Sequence, residues 1–306
     1  MNATSHALRW NQTRFLAGVV FATLLLLAAT LWAYPSNTDF AVSNSHWNGL
    51  REATRGFEII PLFSLRDLPL EPRGTVLIAL PYRKPSTADM DTLKRYVEGG
   101  GVLVLMDDFG YGNTILARLG VGARFGGQVV VDQLFNYRNR RLVRIVIDLP
   151  KGPLTDGVRS LILNHATHIT DTKGLTVVAL SSMVSFVDTN GNGKRDTGEP
   201  VGPFPVSAFG PVGEGYLALV SDPSMLTNSM LHVGSNRKFF ENLFRLAGEN
   251  AQVYLDEAHL PRAPLDMTKR ALAQLRALLT YPPITFALVA AGVALPIAML
   301  GKFPGR

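Results

Sequence analysis

Twelve residues, 188–199 (DTNGNGKRDTGE), place oxygen donors at a spacing that metal chemistry uses. A calcium loop of EF-hand type takes side-chain oxygens from its first, third and fifth positions and turns on a glycine at the sixth. It then uses a backbone carbonyl at the seventh, a further ligand at the ninth and a bidentate glutamate at the twelfth. Asp188, Asn190, Asn192, Gly193, Lys194, Asp196 and Glu199 fill those places in order. The cofactor expected here is a structural Ca²⁺. Arg195 replaces the apolar residue that pairs two such loops, and Pro200 and Pro203 follow where a helix would run. The flanks MVSFV and PFPVSA read as strands, so the loop is expected to close a strand-to-strand connection. With three carboxylates and no paired loop, affinity should be weak, about 10⁻⁴–10⁻³ M. The plain alternative is an Asn/Gly-rich turn that holds no ion.

A second constellation consists of Asp107, Asp108, Asp222, Asp256, Glu257 and His259, each at or just past the end of a run that reads as a strand. Ligands of parallel α/β sheets bind at the carboxyl ends of the strands, so these side chains could converge on a ligand. Carboxylates at strand ends also cap the helices that follow, and Asp222 before Pro223-Ser224 fits that role. His165 and His168 (NHATH) have two-ligand spacing, yet their segment reads as a loop leading into a strand. There is no cysteine, which excludes disulfides, thiol catalysis and thiolate metal sites.

The elements that must position these residues alternate. TVLIAL (75–80) and GVLVLMDD (101–108) are strands apolar on both faces, and GYLALVSD (215–222) and QVYLDEAH (252–259) resume the same texture. Between the first two, Ser86 and Asp89 give a helix-start signature for TADMDTLKRYVEGG, with Met90, Leu93 and Val97 on one face. A helix TILARLG follows, and SNRKFFENLFRLAG turns Phe239, Phe240, Leu243 and Leu246 inward. Ser43 to Ser45 offer N-caps for a helix through HWNGLREATR, and FEIIPLF (57–63) reads as a buried strand. Strands of this kind, alternating with helices, predict a mostly parallel sheet with helices on both faces. Residues about 126–212 carry shorter, alternating strands and predict a β-rich insertion or edge hairpin within the same domain.

The ends of the chain differ from its body. Residues 15–34 (FLAGVVFATLLLLAATLWAY) are twenty uncharged positions, about 30 Å of helix, and 284–300 (ITFALVAAGVALPIAML) are seventeen more. Two transmembrane helices are therefore expected, at 15–34 and 283–301, with a juxtamembrane amphipathic helix at 266–282. The first run is longer than a signal-peptide core and lacks a clean cleavage site. Arg9 and Arg14 before the first span, and Lys302 and Arg306 after the second, place the tails 1–14 and 302–306 in the cytoplasm. The body, 35–265, should lie on the outer face of the membrane. Of the formal net charge of +6, those four cations carry most. A nucleic-acid partner is therefore not expected, and the cluster RNRRLVR (138–144) reads as a solvated face or a contact with anionic headgroups.

The order of a first span, VLVLMDD, GYLALVSDPSMLTNSML, NRKFFENLFRLAG, VYLDEAH and a second span resembles the domain-of-unknown-function 4350 family. More distantly it is similar to the extracytoplasmic domains of gliding-motility-type ABC-transporter auxiliary proteins. Both look like relatives of the class I glutamine amidotransferase fold. In true amidotransferases a cysteine sits on a strand-to-helix elbow; the matching turn here reads Asp107-Asp108-Phe109-Gly110-Tyr111-Gly112 and offers no nucleophile. The resemblance therefore implies architecture and a membrane or envelope protein partner, with the ancestral reaction lost. The functional expectation is a non-enzymatic, membrane-anchored binding protein, auxiliary to a transport or envelope-assembly complex. A membrane-tethered hydrolase or carbohydrate-acting enzyme using the acidic strand-end residues is the alternative.

Overall fold

The computed structural model describes residues 3–147, 152–286 and 290. It divides into two compact units, Asn37–Pro261 and a smaller one made of Met1–Ser36 with Arg262–Arg306.

In the larger unit, β1 (Ile60–Leu62), β2 (Thr75–Ala79), α3 (Thr87–Glu98), β3 (Val102–Met106) and α4 (Gly112–Leu119) follow a short helix α2 (Arg51–Gly56). Then come β4 (Arg124–Phe125), β5 (Val129–Val131), β6 (Asn136–Tyr137), β7 (Asn139–Val146), β8 (Ser160–Ile162), β9 (Ile169–Thr170), β10 (Thr176–Leu180) and β11 (Phe186–Asp188). The unit ends with β12 (Pro205–Val212), β13 (Gly215–Val220), α5 (Asn236–Phe244) and β14 (Gln252–Asp256). A seven-stranded sheet in the order β1-β14-β2-β3-β13-β12-β10 organises it, and the described residues add a three-stranded sheet and two strand pairs. The first five strands run parallel; β12 and β10 extend the sheet antiparallel.

The continuous apolar runs are explained by where their side chains go. Successive residues of a strand face opposite ways, so each run feeds two cores. Val76 and Ile78, Val102, Val104 and Met106, and Ala218 and Val220 pack on one face with Phe239, Phe240 and Leu243 of α5. Leu77 and Ala79, Leu103 and Leu105, and Leu217 and Leu219 pack on the other with Leu93 and Val97 of α3 and Ile115 and Leu116 of α4. A strand with a water-facing side could not be apolar at every position, whereas these must be.

Three local expectations are corrected. The segment 43–49 is not helical: Asn44 closes a turn, accepting from His46 N at 2.7 Å and donating to Thr38 O at 2.8 Å. The helix begins only at Arg51, after Leu50, which offers no side-chain cap. FEIIPLF yields a three-residue edge strand, Ile60–Leu62, whose residues run from exposed to buried. Met90 is only half-buried in α3, where Tyr96 joins Leu93 and Val97 instead. Within the β-rich stretch, β10 and β12 extend one edge of the main sheet, the edge-hairpin form of the expectation, while the other strands pair outside it.

In the smaller unit, α1 (Ala3–Ala33) contains the stretch Phe15–Ala33, with mean hydropathy 2.3 and none of its window buried, long and apolar enough to cross a membrane. Ser36 donates to Asp266 Oδ2 at 2.6 Å. Asp266 lies in the first turn of α6 (Pro264–Thr280), which falls where the sequence predicts an amphipathic helix. Of the proposed second span only residues 283–286 and 290 are described; the rest of it and the tail 302–306 lie outside the described residues.

Candidate functional site

Parallel strands bring their carboxyl ends to one edge, and the strand order places Asp256, Asp107, Asp108 and Asp222 there together with Tyr82 just past β2. Because β2 lies between β14 and β3, these residues form two groups on either side of its end.

The first group is Asp107, Asp108, Asp222 and Tyr82. Asp107 Oδ1 accepts from Gly110 N at 2.7 Å and its Oδ2 from Gly112 N at 2.6 Å. The carboxylate thereby closes the turn and caps the start of α4. The glycines are required by proximity: a Cβ at Gly110 would lie 2.6 Å from Pro81 O, and one at Gly112 would lie 2.5 Å from Asp107 Oδ2. Asp108 accepts from its neighbour Phe109 N at 2.7 Å and from the Tyr82 hydroxyl at 3.3 Å. The Tyr82 ring stacks on Phe40 with centroids 5.0 Å apart. Asp222 is fully buried; Asn164 N donates to its Oδ2 at 2.5 Å and Ser224 N to its Oδ1 at 2.8 Å.

Among the described residues none of these three carboxylates has a salt-bridge partner. Burial, only partly offset by the amide donors, pushes Asp107 up to about 6. Burial and the nearby charge of Asp108 push Asp222 up to about 7, again against its amide bonds. Burial raises Asp108 as well, and burial followed by the charges of Asp108, Asp222 and Asp107 holds the Tyr82 phenol far above its ordinary value. The group can hold a proton near neutral pH, but its carboxylate oxygens are engaged by the turns they cap.

The second group is Asp256, His259 and Asp89. Asp256 Oδ2 is 2.6 Å from His259 Nδ1, and His259 Nε2 is 3.5 Å from Asp89 Oδ2. Burial pulls the imidazolium down, yet the bond to Asp256 and the charges of Asp256 and Asp89 outweigh it and raise the pKa. A cavity of about 330 Å³ lies beside it, lined by Ser64, Ser86, Asp89 and His259 among others. Ser86 Oγ is committed to Asp89, to which it donates at 2.6 Å as part of the cap of α3. Glu257 is buried next to Asp256, and its N–H continues the ladder to Leu62 O at 2.9 Å.

The sequence pattern does not place Tyr82 or Asp89 in the site, Asp89 being read only as part of a helix start, although the rule that selects strand ends applies equally to Tyr82, two residues past Leu80. The described part of this edge also presents exposed aromatic side chains: Phe63 at 60 %, Phe109 at 52 % and Tyr111 at 40 %. Trp47, 69 % exposed, is tied to the segment after β13 through its carbonyl, which accepts from Ser229 N at 3.1 Å.

The 188–199 loop lies elsewhere, between β11 and β12, and connects strands as its flanks predict. Asn190, Asn192, Asp196 and Glu199 are linked by side-chain and amide bonds, Asp188 Oδ2 accepts from Gly193 N at 2.8 Å, and Lys194 N donates to Asn192 Oδ1 at 2.6 Å. The basic cluster on β7 supports this loop: Arg140 donates to Gly193 O at 2.6 Å and Arg141 to Gly191 O at 3.2 Å. Those two arginines are therefore not simply a solvated face. His165 and His168 do not pair as ligands: His165 bonds Asn164 at 2.8 Å, while His168 packs against Phe204 with ring centroids 5.3 Å apart. Among the described residues no group of three or more His, Cys, Asp or Glu side chains stands together as a metal site.

No curated protein matches the sequence. Among solved structures, the mmIFT52 N-terminal domain covers 70 % of this chain and 93 % of its own at 16 % identity, with a TM-score of 0.49. A putative thua-like protein from Bacteroides uniformis ATCC 8492 covers 61 % and 75 % at 16 % identity and a TM-score of 0.37. The beta-galactosidase from Bacillus circulans sp. alkalophilus covers 54 % of this chain and 22 % of its own at 17 % identity, with a TM-score of 0.32. At that level the likenesses carry no argument about activity. The sequence of residues 46–244, in contrast, matches a described family over most of the larger unit, and the chain belongs to it: Domain of unknown function (DUF4350).

Proposed function

We propose that this chain is a non-enzymatic, membrane-anchored binding protein. In this reading its body lies outside the cytoplasm, has a degenerate class I glutamine amidotransferase-like fold and meets a membrane or envelope protein partner through the carboxyl edge of the sheet. The observation that carries the proposal is the contrast along that edge. The carboxylates of Asp107 and Asp222 are consumed by backbone amides, whereas Phe109 and Tyr111 in the same turn face solvent. Exposed aromatic side chains supply binding area at low entropic cost. The position where an amidotransferase elbow carries its nucleophile is a capped Asp-Asp turn. Two membrane spans with cytoplasmic tails would hold this edge beside a transport or envelope-assembly complex.

The test is cross-linking and purification of the full-length protein from its native membrane, wild type beside Phe109→Asp. A partner captured by the wild type and lost from a variant with unchanged melting temperature supports the proposal; identical capture by both removes it.

One observation favours the alternative of a tethered hydrolase or carbohydrate-acting enzyme: the Asp256–His259 pair borders a cavity that also contains Ser64 and Ser86. Against it, the His259 Nε2 that would activate a nucleophile is directed to Asp89. Turnover of ester or glycoside substrates that disappears in His259→Ala would replace the binding reading with this one.

A further inference from the structure

We propose that the 188–199 loop is a Ca²⁺ site whose first ligand, Asp188, is already in place. The neck of the loop is closed by a bridge between Phe186 and Val201 and by Val187 N donating to Pro200 O at 3.0 Å, so the residues that open and end the loop are held opposite each other. Asp188 is the last residue of β11, paired with Val129 of β5, and its side chain is 1 % exposed. Its Oδ2 accepts from Gly193 N at 2.8 Å across the loop, with Arg141 at 3.9 Å. Its Oδ1 is buried and has no hydrogen-bond partner.

A carboxylate oxygen buried without a donor is costly, because nothing replaces the water it gave up. Since the sister oxygen accepts from the sixth residue of the loop, the carboxylate as a whole is directed across the loop. What satisfies the orphan oxygen has to be positive or a donor, and has to suit the loop's other oxygens. The oxygens the loop offers in sequence are the side chains of Asn190, Asn192, Asp196 and Glu199 and the carbonyl of Lys194, an all-oxygen set in the order a calcium loop requires. All-oxygen sets of six or more select hard cations, and a flexible loop suits Ca²⁺ better than the smaller, strictly octahedral Mg²⁺.

The three carboxylates of the loop stand apart from one another, each held by donors of the loop itself. Asp196 Oδ2 accepts from the side-chain amides of Asn190 at 2.7 Å and Asn192 at 2.6 Å. Glu199 accepts from Thr189 N at 2.8 Å and Asp196 N at 3.0 Å. Each of these two carboxylates is thus already held by donors of the loop whose place a cation could take. Lys194, Arg195, Arg140 and Arg141 lie in or against the loop and oppose a second positive charge. The affinity therefore falls in the weak range, about 10⁻⁴–10⁻³ M, suited to a calcium-rich exterior.

The site stands apart from the strand-end edge, so its test does not depend on the binding function proposed above. The full-length protein in detergent micelles is melted in EDTA and in CaCl₂ up to about 10 mM, roughly ten times the weak end of that range, with MgCl₂ in parallel. The melting temperature is expected to rise by about 3–5 °C in Ca²⁺ and by less in Mg²⁺. Equilibrium dialysis should find one Ca²⁺ per chain. Asp188→Asn keeps the acceptor for Gly193 N and should abolish both effects, as should Glu199→Gln. An unmoved wild type, an equal shift in Mg²⁺, or a Ca²⁺ shift that survives both substitutions overturns the proposal.

Discussion

Asp222 combines full burial with two amide donors and, among the described residues, no cation, and its pKa near 7 follows from that combination. A carboxyl whose folded pKa lies above its unfolded one binds more protons in the native state, so stability declines as pH rises between the two values. For Asp222 that window runs from 3.8 to about 7, and for Asp107 from 3.8 to about 6. His259 adds a slope of the same sign, because its raised pKa stabilises the fold below the ordinary imidazole value and that gain is lost at higher pH. The protein is thus expected to be more stable at pH 5 than at pH 8, with Asp222 alone accounting for about 2–3 kcal/mol. Asp222→Asn should flatten most of this dependence in denaturation measured at the two pH values. If the variant keeps the wild-type slope, the buried carboxyl is not its source. Nothing in the composition announces this behaviour: Asp222 is visible in the sequence as a cap before Pro223-Ser224, but its burial depends on Asn164, fifty-eight residues away, supplying an amide.

Elements show the opposite balance, since what is local was legible. The box at the start of α3 is spelled out by Ser86 and Asp89, and both of its bonds form, Ser86 Oγ accepting from Asp89 N at 3.2 Å and Asp89 Oδ2 from Ser86 N at 3.1 Å. Ser86→Ala removes one of them and is expected to cost about 1 kcal/mol, a fall in melting temperature of about 2–4 °C. Gly112→Ala makes a harder test of the β3–α4 turn. The new methyl would stand 2.5 Å from Asp107 Oδ2, so the carboxylate must leave its cap, and a larger loss of about 2–3 kcal/mol is expected. A variant as stable as the wild type would mean that the turn adapts and that Asp107 is not needed to start α4. The helix expected through 46–55 starts only at Arg51, and for a partly non-local reason: Asn44, within the expected cap, donates to Thr38 O, and Asn228 from beyond β13 holds the carbonyls of Asn44 and His46. The apolar strands, by contrast, could be read because each must fill two cores at once, a demand every residue in the run has to meet.

The whole chain poses a question of placement, because an apolar N-terminal helix and a large α/β unit do not by themselves say on which side of a membrane the unit lies. The proposed topology rests on Arg9 and Arg14 ahead of the stretch Phe15–Ala33, on Lys302 and Arg306 after the second apolar run, and on the absence of acidic residues beside them. The chain provides a clean means of testing it, since it has no cysteine of its own. Ser45, exposed in the larger unit, and Ser5, ahead of the apolar stretch, can each be changed singly to cysteine. In intact cells a membrane-impermeant maleimide is expected to label Ser45→Cys and to reach Ser5→Cys only after the membrane is opened. The reverse pattern would put the larger unit in the cytoplasm. There a Ca²⁺ loop of about 10⁻⁴–10⁻³ M affinity would be empty at resting ion levels, and the exposed aromatic edge would have to find its partner among cytoplasmic proteins. The side of the membrane therefore decides whether the loop at 188–199 can be a permanent part of the fold, and labelling at Ser45 is the measurement that links the two.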